Sequence, residues 1–121
     1  MDKPPLEITE LTEENGLIVL NLVGRLDVLT CKDLARRIQE LVAAGNREIA
    51  LDLSQLEYVS SAGLRILLQA RKQLKAEGGS LALCGANEFV QEVLETTGFN
   101  TLFPIHTRPG ESAPVKPRDE T

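Results

Sequence analysis

The order of apolar and polar residues near the amino terminus predicts a β-hairpin. Residues 6–11 alternate apolar and polar side chains, which is the period of a half-buried strand. Residues 17–23 form a nearly continuous aliphatic run, typical of a strand that is covered on both faces. Residues 14–16 (ENG) between them favour a tight turn, because glycine adopts positive φ freely. The two segments are therefore predicted to pair at the edge of a sheet, before the run breaks at residues 24–27 (GRLD).

The rest of the chain alternates between helical and strand patterns. Apolar residues recur at helical spacing in three segments, each beginning near a capping residue and ending at glycine. The predicted helices run from Thr30 to Gly45, from Ser61 to Gly78 and from Asn87 to Gly98. Strands are predicted at residues 49–53, 81–84 and 102–105. The order β-β-α-β-α-β-α-β predicts an α/β domain with a mixed, mostly parallel sheet, right-handed crossovers and helices packed on the sheet.

The length and composition fit one globular domain. A chain of 121 residues with 42% hydrophobic residues can bury a single core, which must be aliphatic because there are only three Phe, one Tyr and no Trp. The core residues on the second helix are predicted to include Leu64, Leu67 and Leu68. We expect a lead-in at residues 1–5, a domain at 6–106 and a disordered, proline-containing tail at 107–121.

Charge and motif content argue against several classes of function. A net charge of −5 and the scarcity of aromatic rings disfavour nucleic-acid binding. The chain has no apolar run of about 20 residues and no signal-peptide pattern, so we expect a cytoplasmic protein without membrane insertion. Cys31 and Cys84 lack disulfide-scaffold or metal-ligand spacing and are expected to be reduced. No cofactor or metal site is predicted.

Ser60 and Ser61 stand where a predicted strand passes into a helix. Serine at such a junction can cap the helix, act as a nucleophile or accept a phosphate. The nucleophile has little support, because the serines lie outside a G-x-S-x-G elbow and the only histidine, His106, borders the predicted tail. A non-enzymatic protein is therefore expected. Capping and modification both remain open, and a phosphate on Ser61 would face the positive end of the helix dipole with Arg65 one turn later.

Four motifs, in order, resemble the STAS domain of bacterial anti-sigma factor antagonists. Residues 51–54 (LDLS) with 59–64 (VSSAGL) carry the strongest likeness, and residues 24–27 (GRLD) match the end of the family's second strand. The sequence around residues 78–85 is similar to its fourth strand, and residues 93–99 (VLETTGF) to its third helix. The resemblance extends over about residues 6–106.

The resemblance implies a partner switch. Unphosphorylated members of this family bind an anti-sigma factor that is also a serine kinase of the histidine-kinase-like ATPase fold, which frees a sigma factor. The kinase phosphorylates a serine of the D-S-[ST]-G-L motif, and a PP2C-type phosphatase reverses the reaction. By this likeness the modified residue is Ser61, with Ser60 as second choice. The implied partner-binding residues are Asp27, Ser60, Ser61, Ala62, Gly63, Leu64 and Arg65.

Two departures and several alternatives remain at this point. The acidic residue that usually precedes the modified serine is Ser60 here, and Ala62 replaces the following Ser or Thr. Asp27 either fixes its own loop or caps the next helix through local hydrogen bonds, or it contributes to the partner surface. The alternative function is a non-phosphorylated STAS accessory subunit of an ABC-type lipid transport complex. A small-ligand sensor is a third possibility, without a phosphate-binding motif to support it.

Overall fold

The computed structural model describes residues 4–103 and 105–106, and the predicted tail at 107–121 lies outside them. The division of the chain into lead-in, domain and tail stays a prediction. The elements, in chain order, are β1 (Leu6–Thr12), β2 (Ile18–Leu26), α1 (Cys31–Ala43), β3 (Glu48–Val59), α2 (Ser61–Ala76), β4 (Ser80–Cys84), α3 (Glu88–Thr97), a 3-10 turn (Phe99–Thr101) and β5 (Ile105–His106). The predicted order of strands and helices is confirmed.

The strands form one mixed sheet in the order β1-β2-β3-β4-β5. β1 pairs with β2 antiparallel, as the predicted hairpin requires, with Glu13 and Gly16 closing the turn. β2, β3, β4 and β5 are mutually parallel. The predicted mixed, mostly parallel sheet is therefore confirmed. Because the carboxyl ends of parallel strands meet at one edge, the loops that follow β2 and β3 come together there.

An aliphatic core joins the sheet to the helices. In-register strand residues such as Leu20, Leu51 and Leu83 are fully buried. The large side chains that the helices contribute to this core include Leu34, Ile38, Leu67, Leu74, Val90 and Leu94. Leu68 was predicted to belong to this core but is only half-buried, because it points away from the central stripe of α2.

β2 is longer than predicted, because Gly24 bends the strand without ending it. The pairing with β3 shifts register between Gly24 and Arg25, which marks a bulge. Gly24 adopts a φ of +117°, and a Cβ there would lie 2.3 Å from the carbonyl oxygen of Pro5. A glycine is therefore required both by the backbone conformation and by the close approach of the Pro5 backbone, just before β1.

β3 is also longer than predicted and runs well past its neighbour. It pairs with β4 only as far as Asp52 but stays paired with β2 through Val59. The β4 side of residues 53–56 is held instead by the side chain of Asn87, whose Nδ2 donates to the carbonyls of Leu53, Ser54 and Leu56, the last at 2.8 Å. Solvent-facing polar residues in this stretch interrupt the apolar pattern, so the prediction ended too early.

The predicted last strand at 102–105 is wrong in its bounds. Gly98 ends α3 in the left-handed conformation, with φ +80°, as expected for a helix-ending glycine. The chain then makes the 3-10 turn Phe99–Thr101, in which the rings of Phe99 and Phe103 stack with centroids 5.8 Å apart. β5 begins only at Ile105 and pairs with the last residues of β4.

Candidate functional site

The loop after β2 and the start of α2 are bonded to each other at the carboxyl edge of the sheet. Leu26 and Val59 are in register at the ends of β2 and β3. Immediately beyond them, the amide of Ser60 donates to the carbonyl of Leu26 at 2.9 Å. The two chain segments that carry the predicted site residues are therefore fixed against each other.

Ser60 caps α2. Its backbone is extended (φ −94°, ψ 172°), and its Oγ accepts a hydrogen bond from the amide of Gly63 at 3.1 Å. Its carbonyl accepts the first intrahelical bond, from the amide of Leu64, at 2.9 Å. This geometry satisfies a donor that the helix itself leaves unpaired. The capping alternative therefore applies to Ser60, whose hydroxyl oxygen is already engaged.

Ser61 is the first residue of α2 and is exposed. Within residues 4–103, no hydrogen bond is formed by its hydroxyl. The first amides of a helix carry partial positive charge, so an anion on this side chain would be stabilised there. Arg65, one turn along the same helix, is exposed and forms no ion pair within the described part of the chain. The two serines therefore differ: the hydroxyl of Ser60 caps α2, whereas the hydroxyl of Ser61 forms no hydrogen bond with the described residues.

Gly63 lets α2 approach the end of β2. It is buried, and a Cβ at this position would lie 2.9 Å from the carbonyl oxygen and 2.9 Å from Cγ of Leu26. Contacts below 3.0 Å are essentially unknown for a real Cβ, and the backbone oxygen cannot move cheaply. The buried residues Gly63 and Leu64 therefore anchor the first turn of α2, which carries the exposed Ser61. Ala62 is half-buried.

Asp27 closes the turn that leads into α1, and Thr30 stands at the predicted N-cap position. Oδ1 of Asp27 accepts from the amide of Thr30 at 3.0 Å, while the amide of Asp27 donates to Oγ1 of Thr30 at 2.8 Å. Thr30 itself is helical in φ and ψ and makes no side-chain cap bond, because its hydroxyl faces back into the loop. The reciprocal pair fixes the turn before α1. The hydrogen bond from the amide of Thr30 lowers the pKa of Asp27 below its ordinary value. The amide of Leu29, the hydroxyl of Thr30 and the charge of Arg25 lower this pKa further.

Four residues beside Asp27 were not predicted as site residues. The guanidinium of Arg25 lies 4.3 Å from the ring centroid of Tyr58, in a cation–π arrangement, and its Nε lies 3.9 Å from Oδ2 of Asp27. Val28 and Leu29 are 60% and 75% exposed, although both are aliphatic. The sequence did hold a signal for the latter two, since they fit neither the strand pattern before them nor the helical stripe after them.

Metal sites and membrane-spanning helices are absent from the described residues. Among the described residues, no group of three or more His, Cys, Asp or Glu side chains could hold a metal ion. No described helix is long and apolar enough to cross a membrane. Cys31 and Cys84 are both buried, and the thiol of Cys84 lies 3.3 Å from the carbonyl oxygen of Leu51.

The fold is that of a known family. The model of the STAS domain matches residues 9–112, and the chain belongs to the STAS domain family. BtrV of Bordetella bronchiseptica, described as a candidate anti-sigma factor antagonist, is 37% identical over 91 residues, which span 75% of this chain and 78% of BtrV. The anti-sigma F factor antagonist of Paenibacillus polymyxa is 29% identical over 98 residues, 80% of this chain and 84% of that protein.

Solved structures show the same likeness. An anti-sigma factor antagonist from Mycobacterium paratuberculosis superimposes with a TM-score of 0.71 and 29% identity, over 90% of this chain and 91% of that one. SpoIIAA, an anti-sigma factor antagonist, has been solved in an unphosphorylated and a phosphorylated form. The unphosphorylated form shares the fold with a TM-score of 0.72 at 20% identity, over 84% of this chain and 89% of SpoIIAA.

Proposed function

We propose that this protein is an anti-sigma factor antagonist that is switched by phosphorylation of Ser61. The observation that carries the proposal is the exposed hydroxyl of Ser61 at the first position of α2, which forms no hydrogen bond within the described residues, beside a Ser60 that caps the helix. The curated relatives with anti-sigma factor antagonist names support the function. The occurrence of SpoIIAA in a phosphorylated form shows that this fold can exist with a phosphate attached.

The proposed partner is an anti-sigma factor of the ATPase-fold serine kinase type. The unphosphorylated chain binds it in the cytoplasm, through the edge that carries Asp27, Ser61 and Arg65, and a sigma factor is released. In the kinase reaction the Oγ of Ser61 attacks the γ-phosphorus of ATP. An O–P bond forms, the bond to the leaving ADP breaks, and the hydroxyl proton passes to a base of the kinase. A PP2C-type phosphatase hydrolyses the ester and returns the hydroxyl.

The phosphate ends binding without unfolding the domain. It adds a charge of roughly −1.5 to −2 at an exposed helix terminus. The helix dipole and Arg65 stabilise that charge within the protein, so the fold survives. A partner surface that fits a neutral hydroxyl would instead have to desolvate a dianion. The cost of that desolvation is paid only in the complex.

Ser60 takes the place of the family's usual acidic residue in this mechanism. Its Oγ accepts the amide of Gly63, which is the bond that an aspartate cap would also accept. The substitution therefore keeps the helix start but removes one negative charge next to Ser61. A neutral neighbour reduces repulsion of ATP and also removes a possible ligand of the kinase magnesium.

Affinity capture from lysate of the native host tests the proposal. The baits are wild type, Ser61→Ala, Ser61→Asp and, as matched control, Ser60→Ala, with mass spectrometry of captured proteins and of bait phosphosites. We expect an ATPase-fold kinase on the Ser61→Ala bait, none on Ser61→Asp, and phosphate on Ser61 of wild type and of Ser60→Ala. Equal capture of a transporter ATPase by all four, without phosphate on either serine, would contradict the switch and support the accessory-subunit alternative.

A further inference from the structure

We propose that Val28 and Leu29 are the apolar anchor of the partner interface, and that they insert into a hydrophobic pocket of the anti-sigma factor kinase. The proposal rests on the proposed function and specifies its contact surface. The two side chains, which we call the Val28–Leu29 knob, are adjacent on the turn between β2 and α1. Within the described residues, Leu29 is the most exposed large hydrophobic side chain at 75%, and Val28 follows at 60%.

The fold does not need aliphatic residues at these two positions. The turn is held by Asp27 and Thr30, whose reciprocal hydrogen bonds involve no side-chain atom of Val28 or Leu29. The amide of Leu29 also donates to Oδ1 of Asp27, at 3.0 Å, and any residue except proline would supply that amide. Turns that face water favour polar residues, and a single exposed aliphatic residue is ordinary. Two in succession, at a turn already fixed by other groups, are better explained by contact with another molecule.

The knob is rigid, which favours its use as an anchor. Thr30, which closes the turn, is 3% exposed, and its hydroxyl lies 2.7 Å from the carbonyl oxygen of Arg25. The backbone on both sides of the knob is thus tied to β2 and to the first turn of α1. Ordering a flexible loop on binding costs free energy, and here little ordering remains to be done. Valine and leucine also lose little side-chain entropy when they are buried.

The knob and Ser61 are close enough to share one interface. Consecutive Cα atoms are 3.8 Å apart, so the Cα atom of Leu29 lies within about 11 Å of that of Leu26. Because the amide of Ser60 is bonded to the carbonyl of Leu26, the Cα atom of Ser61 also lies within about 11 Å of that of Leu26. A standard interface covers about 800 Å² of each partner, equivalent to a disc about 32 Å across. Arg25 and Asp27, partly exposed beside the knob, provide the polar rim that surrounds an apolar centre.

Titration calorimetry with the purified anti-sigma factor kinase of the same organism tests the knob. The variants are Leu29→Ser and Val28→Ser, and the matched control is Leu11→Ser. Leu11 is 59% exposed but lies opposite Val19, at the start of β2, seven residues from Leu26 and therefore about 23 Å away. We expect Leu29→Ser to raise the Kd at least tenfold, equal to about 1.4 kcal/mol, and Leu11→Ser to change it less than twofold. Urea midpoints equal to that of wild type would show that the variants are folded.

The outcomes separate this inference from the function on which it rests. If Ser61→Asp abolishes binding while Leu29→Ser and Val28→Ser bind like wild type, the knob is overturned and the switch stands. Equal losses for Leu29→Ser and Leu11→Ser would also overturn the knob. A wild-type protein that does not bind the kinase contradicts both proposals. Light scattering tests whether the knob binds a second copy of this chain. A wild-type dimer that becomes monomeric in Leu29→Ser would overturn the inference and assign the knob to self-association.

Discussion

Gly63→Ala tests the close approach of α2 to the end of β2. An added Cβ would lie 2.9 Å from the carbonyl oxygen of Leu26, and that oxygen also accepts the amide of Ser60. Relief therefore requires a backbone shift at the helix start, and overpacking of this kind costs about 1–3 kcal/mol. Alanine returns up to about 1 kcal/mol of helix propensity. With a backbone atom as the obstacle, we take the upper end of the range and expect a net loss of about 2 kcal/mol.

Urea unfolding followed by circular dichroism measures this loss. With a slope of about 2 kcal/mol per molar urea, the midpoint of Gly63→Ala falls by about 1 M with the slope unchanged. Ser61→Ala is the matched control, because it alters the same helical turn at an exposed side chain without a hydrogen bond in the described residues. We expect it to stay within about 0.5 kcal/mol of wild type. A Gly63→Ala protein as stable as wild type, or more stable, would refute the reasoning.

Three further predictions concern two helix caps and the turn before α1. Asp27→Asn lowers the urea midpoint at pH 7; because the folded-state pKa of Asp27 is depressed, wild type loses this advantage as the pH falls below about 4, and an equal difference at pH 7 and pH 2.5 would contradict it. Asn87→Ala costs about 2 kcal/mol in urea melts, since it removes both the cap of α3 and the bond to Leu56. Asn87→Ser loses less, because its hydroxyl can still cap α3 and places no second oxygen against the Leu56 carbonyl. Ser60→Ala costs about 1 kcal/mol but Ser60→Asp does not, and equal midpoints for the two would exclude a capping role.

The spacing of apolar residues, together with residues that begin or end helices, predicted most of the fold. The apolar spacing identified all three helices, and Asn87 and Gly98 were correctly assigned to the two ends of α3. The strands β2 and β3 were predicted too short. A bulge at Gly24 and exposed polar residues after Asp52 interrupt the apolar pattern, although the pairing of the two strands continues. Periodicity records burial, and a strand that leaves its neighbour keeps its hydrogen bonds on one side without keeping its apolar alternation.

The site was harder to predict because its residue types serve several purposes. Thr30 and Asp27 both favour helix caps, and only the structure shows that Thr30 makes no side-chain cap bond while Asp27 holds the turn before it. Ser60 and Ser61 are identical in type and adjacent, so the sequence could rank but not separate them. The contact of Gly63 with Leu26 joins residues far apart in sequence, which no local pattern encodes.

The bond between Ser60 and Leu26 has a consequence for the speed of the proposed switch. Because the serine junction and the loop after β2 are one rigid unit, docking requires no rearrangement, and association is expected in the range of about 10⁵–10⁷ M⁻¹s⁻¹ that is typical of preformed surfaces. The lifetime of the complex would then be set by dissociation and by the chemical step on Ser61. A cell could in that case time its response through the relative activities of kinase and phosphatase, with no slow conformational step in this protein.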